Sequence, residues 1–411
     1  MRKAWSVVLI AVTAALAPLA VGLPSSLIAG AATTASVRWY LPDFGGTPGF
    51  TAIKGTNVGV APDGTIYYTD GASLVAINGD GTTRWRSAAV PAWTQNELGN
   101  PTVGGDGTIF ATGSHFLFAF APDGSLRWSF ATAGPSDGAV SASDGTVYVL
   151  SGFNTGGGNF GTSRLQVLQA VNPDGTERWQ HVLLSGSGTG MGGFSGLVRP
   201  AVAGDGTVYV GTWDGTFFAL NPDGTEKWHL LTGASLVPNA PDPRAAVTGS
   251  AAVGADGSAY FPSGGDLWAV SSTGAVLWRA PVGSLTGQES LSWPTVGIDG
   301  TIHTGSTDGH FYAISPTGQT KWTVDVGQCQ ARPPPSTPAP SGRPGDPPPP
   351  PPPGPQPVPC WLGTSSLISA SGTVYFGATN GILYAIDPAG AEVWRLTTPP
   401  CQGVTNCDLW Y

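Results

Sequence analysis

The chain has 411 residues, of which only 10% are charged and 61 are Gly, and its formal net charge is −9. Few ion pairs, many turn residues and no long helical periodicity, together with abundant Thr, Val, Tyr, Phe and Trp, point to an all-β protein of many short strands. The negative balance, with no Lys/Arg stripe to offset it, argues against a nucleic-acid partner.

The first 31 residues, "MRKAWSVVLIAVTAALAPLAVGLPSSLIAGA", have a basic start (Arg2, Lys3), an apolar stretch and a small-residue cleavage site at Ala29-Gly30-Ala31. They predict a secretory signal peptide and a secreted protein, extracellular or periplasmic. A retained membrane anchor is the alternative, but Pro18 and Pro24 interrupt the apolar run. "LIAGA" (27–31) resembles a lipoprotein box with Ala31 where the acylated Cys would stand, so no lipid anchor is expected. Removing Arg2 and Lys3 leaves 15 basic against 26 acidic residues, a balance of −11, and no membrane span.

From residue 36 the chain repeats. With Trp85, Trp128, Trp179, Trp228, Trp278, Trp322 and Trp394 in register, an Ala stands nine positions before each: Ala76, Ala119, Ala170, Ala219, Ala269, Ala313 and Ala385. Four positions before each Trp stands a Gly, as in Gly224 before Trp228. The fourth unit predicts four strands, "PAVAG" (200–204), "TVYVGT" (207–212), "TFFALN" (216–221) and "TEKWHL" (225–230), joined by short Gly turns. Trp-to-Trp spacings run from 43 to 51 residues apart from one gap of 72. A period in the forties with four strands per unit predicts a β-propeller of four-stranded antiparallel blades. Seven complete units predict seven blades. Eight is the alternative, because "SVRWYL" (36–41), with Trp39, reads as one additional outer strand. An indole on one outermost strand needs a small-sided slot in the next blade, where Ala gives room and a Gly turn exposes a peptide plane. Each buried ring is worth roughly 2–3 kcal/mol by area.

The gap of 72 contains "RPPPSTPAPSGRPGDPPPPPPPGPQPVP" (332–359), whose sixteen prolines specify an extended coil or polyproline II rather than a strand. It reads as a solvated spacer or as a ligand for a Pro-recognising partner. All four cysteines lie in the last quarter. Four Cys in a secreted chain allow three connectivities; Cys329–Cys360 and Cys401–Cys407 are favoured because each pair brackets one irregular segment. The organisation is thus a signal peptide (1–31), the extra strand and blades 1–6 (36–328), the Pro-rich loop (329–360), the last blade (361–400) and a tail (401–411).

Two segments, "YAIDPAGAEVW" (384–394) and "FALNPDGTEKW" (218–228), resemble the tryptophan-docking motif of PQQ-binding-like β-propeller repeats. That superfamily includes the quinoprotein dehydrogenases and the lipoprotein component of the outer-membrane β-barrel assembly machinery. The resemblance covers about residues 36–400 without the Pro-rich stretch, with an Ala-to-Trp separation one residue shorter than is usual there. It implies a fold and leaves the chemistry open.

Catalytic signals are weak. Fourteen Asp-Gly-type turns keep their Gly, while Thr273, Thr317, Ser371 and Ala389 replace the Asp. A metal site could not accept Ala for a carboxylate, whereas a turn needs only the residue with positive φ. The quinoprotein dehydrogenases imply a vicinal Cys-Cys disulfide and a calcium ion at the quinone, and no adjacent cysteines exist here. His115, His181, His229, His303 and His310 fall in different units with no metal spacing. His303 takes the place of the Tyr in "TVYVG", so packing is its expected role. "GGFSGL" (192–197) lacks a nucleophile elbow, and "GTGMGGFSG" (188–196) lacks the Lys and helix of a phosphate loop.

The long loops between blades lie on the face opposite the Asp-Gly turns, and binding is expected there. Trp93, Glu97, Arg199, Arg244, Glu289 and Trp293 stand near the starts of innermost strands, and Trp213 lies in a turn on the same face. The expected function is a monomeric, secreted, non-catalytic scaffold that binds a protein or cell-surface glycan and needs no cofactor. The alternatives are a PQQ- and calcium-dependent oxidoreductase of sugars or alcohols and a carbohydrate-binding module using exposed Trp.

Overall fold

The computed structural model describes residues 58–90, 98–113, 115–154, 164–186, 199–212, 214–233, 247, 249–282, 292–330, 357–360, 362 and 365–397, and the backbone at 12–13 and 36–37. Seven four-stranded antiparallel sheets follow one another, each ordered innermost to outermost along the chain: a seven-bladed propeller. Blade 4 shows the plan, with strands Ala201–Val202, Val208–Gly211, Thr216–Leu220 and Glu226–Leu231. Blade 6 has Thr295–Val296, Ile302–Gly305, His310–Ile314 and Thr320–Asp325; blade 7 has Leu367–Ile368, Val374–Ala378, Ile382–Ile386 and Glu392–Thr397. Ser36–Val37 pairs with Val12–Thr13 and not with a blade. Trp39 and the cysteines at 401 and 407 lie outside the described residues.

Second and third strands are largely buried on both faces, completely so in Val208–Gly211 and Thr216–Leu220 and least so in blade 7, while outermost strands such as Glu226–Leu231 alternate between exposed and half-buried residues. This division follows from a ring of radial sheets: middle strands are sandwiched between neighbouring blades and only the outermost edge meets water.

The constant spacing of nine has a simple cause. In every blade the Ala lies directly across from the Trp of the same blade, as Ala76 from Trp85 and Ala385 from Trp394. A register shift follows each Ala and adds a β-bulge beside the tight turn. The expectation that Ala would line the slot in the next blade is therefore corrected: Ala clears space on the Trp's own sheet, and the next blade contributes the Gly. The rings of Trp85, Trp128, Trp179, Trp228, Trp278 and Trp322 lie where a Cβ on Gly124, Gly175, Gly224, Gly274, Gly318 and Gly390 would fall, 2.6–3.0 Å from the nearest ring atom. These six Gly also have φ of +84° to +90°, so two independent reasons exclude a side chain. Each indole Nε1–H donates to a carbonyl two residues before that Gly, from Trp85 to Pro122 O at 2.9 Å through Trp322 to Pro388 O at 3.1 Å.

A second ring backs every Trp. Tyr67, Phe110, Tyr148, Tyr209, Tyr260, His303 and Tyr375 sit on the second strands with centroids 5.6–5.9 Å from their Trp. His303 accordingly packs as an aromatic.

The Asp of the first turn also has a visible task. Asp63, Asp106, Asp144, Asp205 and Asp299 cap their own turns and take a cation from the residue preceding the Trp: Arg84, Arg127, Arg178, Lys227 and Lys321, at 3.0–3.3 Å. Hydrogen bonds from the turn Thr two residues on hold these carboxyls below the usual range, and Asp299 falls to about 2. In blade 5 the cation is replaced by Leu277, and in blade 7 Val393 and Ser371 replace both partners. These exposed pairs tune the rim and do not hold the ring together.

Before blade 7, Gln328–Gln330 and Pro357–Pro359 form an antiparallel ribbon at the base of the Pro-rich segment. Cys360 N–H donates to Gly327 O at 3.1 Å, and Cys360 is disulfide-bonded and fully buried. The register sets Cys329 opposite Val358, one diagonal step from Cys360.

Candidate functional site

Each innermost strand runs from the loop-rich face to the first Asp-Gly turn, so the residue six before the turn Asp marks the loop-rich end of the ring's inner wall. In blades 2 to 6 that residue is Asn100, Gly138, Arg199, Ser250 and Trp293, and in blade 7 the equivalent is Ser365. Small or short residues at most of these positions leave room for the two large ones.

Arg199 and Trp293 converge. The guanidinium carbon of Arg199 lies 5.2 Å from the Trp293 ring centroid, within cation–π range, although a whole blade separates their strands. Arg199 N–H donates to Ser250 Oγ at 2.8 Å, tying its backbone to blade 5. Gly138 has φ +105°, and a Cβ there would fall 2.3 Å from Arg199 Nε. The Gly138 N–H is held by Thr112 Oγ1 at 3.0 Å. Trp293 is seated in the same way, because a Cβ on Gly249 would lie 2.9 Å from Trp293 Cδ1. Two glycines thus make space for a cation and an aromatic face at one end of the ring axis.

Of the sequence candidates, the structure brings together Arg199 and Trp293. Trp93, Glu97, Trp213, Arg244 and Glu289 lie outside the described residues. The seating residues Gly138, Gly249 and Ser250 were missed by sequence reasoning; aligning the units on the turn Asp instead of the Trp exposes Gly138 and Ser250 at once. The histidines stay apart: His181 Nδ1 meets Gly224 O at 3.0 Å, His229 pairs with Glu226 at 2.8 Å, and His310 lies 3.4 Å from Asp308. Among the described residues no three His, Cys, Asp or Glu side chains come together to hold a metal ion, and no helix is long and apolar enough to cross a membrane.

A family model described as outer membrane protein assembly factor BamB matches this chain in overlapping stretches, residues 25–189, 70–235, 167–343 and 232–407. The chain belongs to this family of PQQ-like β-propellers. The crystal structure of BamB from Moraxella catarrhalis is similar at a TM-score of 0.56 and 17% identity, covering 84% of this chain and 89% of that one. A europium-containing methanol dehydrogenase is similar at 0.53 and 13%, covering 81% and 76%. A quinohemoprotein alcohol dehydrogenase, ADHIIG from Pseudomonas putida HK5, is similar at 0.55 and 15%, covering 84% and 66%. No curated protein matches. At these identities the solved structures share a fold with this chain, and both a BamB and two oxidoreductases are built on it.

Proposed function

We propose that the protein is a non-catalytic scaffold of the cell exterior or envelope that holds a protein partner on its loop-rich face. The observation that carries this reading is the convergence of Arg199 and Trp293 over Gly138 and Gly249. Arg and Trp are the residue types that dominate protein–protein binding energy when they are pre-positioned at the centre of a patch. Membership of a family described as an outer membrane assembly factor supports a protein partner and an envelope location.

The test is photo-crosslinking in the native envelope from position 293, with position 223 on the opposite face as control. One saturable partner captured at 293 and absent at 223 is the expected result. Gly138→Ala and Arg199→Ala are each expected to weaken capture about tenfold or more, the first by displacing the guanidinium and the second by removing it. Equal capture from both faces would overturn the reading.

The likeness to two dehydrogenases keeps a quinone-dependent oxidoreductase as the second reading. Among the described residues no three His, Cys, Asp or Glu side chains come together, and the four cysteines include no adjacent pair. Titration with PQQ and calcium, followed by absorbance and dye-linked oxidation, separates the two: saturable binding with turnover selects the enzyme. We further propose that Cys360 is joined to Cys329 and Cys401 to Cys407. Peptide mapping without reductant is expected to return these two links, and a Cys360–Cys401 peptide would refute them.

A further inference from the structure

We propose that the seam between blades 6 and 7 is acid-sensitive, with His303 as its sensor: protonating this imidazole loosens the docking of Trp322 on blade 7 while the other described seams hold.

His303 occupies the position that is Tyr or Phe in the other six blades, and it is 4% exposed. Its ring lies 5.6 Å from Trp322 and 6.4 Å from Phe311. Both of those rings bind blade 7: Trp322 against Gly390 and Pro388 O, and Phe311 stacked on Phe376 at 3.8 Å. In blade 4 the equivalent Tyr209 reaches across its seam to donate to Gly257 O at 2.8 Å. Among the described residues the shorter imidazole makes no such tie, and its buried Nδ1 has no hydrogen-bond partner there. Among the described seams, this one carries a titratable imidazole at that position.

The charges that face His303 do not rescue its protonated form. Asp299 favours it and Lys321 opposes it, and those two are already paired at 3.2 Å. On blade 7, Asp387 in the docking turn is engaged by the N–H groups of Ala389 and Ala391. Asp308 and His310 on the neighbouring turn and strand lie beside each other. Burial dominates and pushes the imidazole down to about 4 from an ordinary 6.5. With the folded value below the unfolded one, the stabilisation is complete above pH 6.5 and is lost as pH falls toward 4. Blade 7 follows the ribbon at Gln328–Gln330 and Pro357–Pro359, and Cys360, the next residue, is disulfide-bonded. A loosened seam therefore releases a blade that stays tethered.

The test is hydrogen exchange on the intact, oxidised chain at pH 7.5 and 4.5, corrected for intrinsic rates. Residues 320–325 and 382–397 are expected to exchange tens of times faster at pH 4.5, with blades 2–4 far less affected. His303→Tyr, which restores the majority residue, is expected to abolish the difference; His303→Phe, matching Phe110 of blade 2, serves if the Tyr variant does not fold. A uniform acceleration over all blades, no acceleration, or the same local acceleration in the folded variant would each overturn the proposal.

Discussion

Trp228→Ala is expected to lower the unfolding free energy by about 2–4 kcal/mol, reaching only part of the range for a fully buried large aromatic because the ring is half-buried. The ring does three jobs that Ala cannot take over. It covers Gly274 of the next blade, its Nε1–H donates to Ser272 O at 3.0 Å, and it packs against Tyr209 and Phe217 at 5.8 and 6.2 Å. Because Ala219 lies directly across the sheet, no side chain is placed to fill the void. Urea unfolding followed by circular dichroism measures the change, and a loss below about 1 kcal/mol would mean that the docking rings are ornamental.

Gly224→Ala is expected to cost about 2–4 kcal/mol, combining a left-handed backbone with a collision. Gly224 has φ +86°, and an added Cβ would fall 2.6 Å from Trp179 Cδ2, where the ring is fixed by its own bond to Pro222 O at 2.9 Å. Asp223→Ala, one residue earlier, is expected to matter far less. Its carboxylate caps only Thr225, through the backbone N–H at 3.0 Å and the hydroxyl at 2.6 Å, and it is exposed. Parallel thermal melts of the two variants test the contrast; an Asp223→Ala loss equal to that of Gly224→Ala would reverse the assignment of roles within this turn.

Much of the fold was legible because the same constraint is written seven times. A docking ring needs an Ala across the sheet and a turn Gly, so Ala219, Gly224 and Trp228 recur at fixed offsets and reveal the four-stranded unit, with seven blades favoured over eight. Which blade supplies each part was not legible: spacing alone does not distinguish a cross-strand Ala from one in a neighbouring sheet, and the bulge that sets the interval of nine leaves no residue signature. The cation before the Trp was equally readable in principle, since Arg84 pairs with Asp63 and Lys321 with Asp299, but that match appears only when two turns of one unit are compared.

The candidate site was less legible. Arg199 and Trp293 could be placed at one end of the inner wall by their position before a strand. Their convergence depends on Gly138 and Gly249 having no side chain, and a glycine that makes room for a residue on another blade looks in sequence like any turn glycine. Sites made by subtraction lack a motif.

The six described docking contacts point one way: the ring of blade 1 enters blade 2, that of blade 2 enters blade 3, and so on to blade 7. Each of blades 2 to 6 therefore carries a plug for its successor and a socket for its predecessor. Such head-to-tail joints make a closed circle only when the accumulated rotation comes out right, and otherwise an open spiral. A duplicated unit of this gene would arrive with both halves of its interface already matched. The number of units is then decided by the geometry of closing the circle and not by any single repeat, so gain or loss of a copy would be judged at the join.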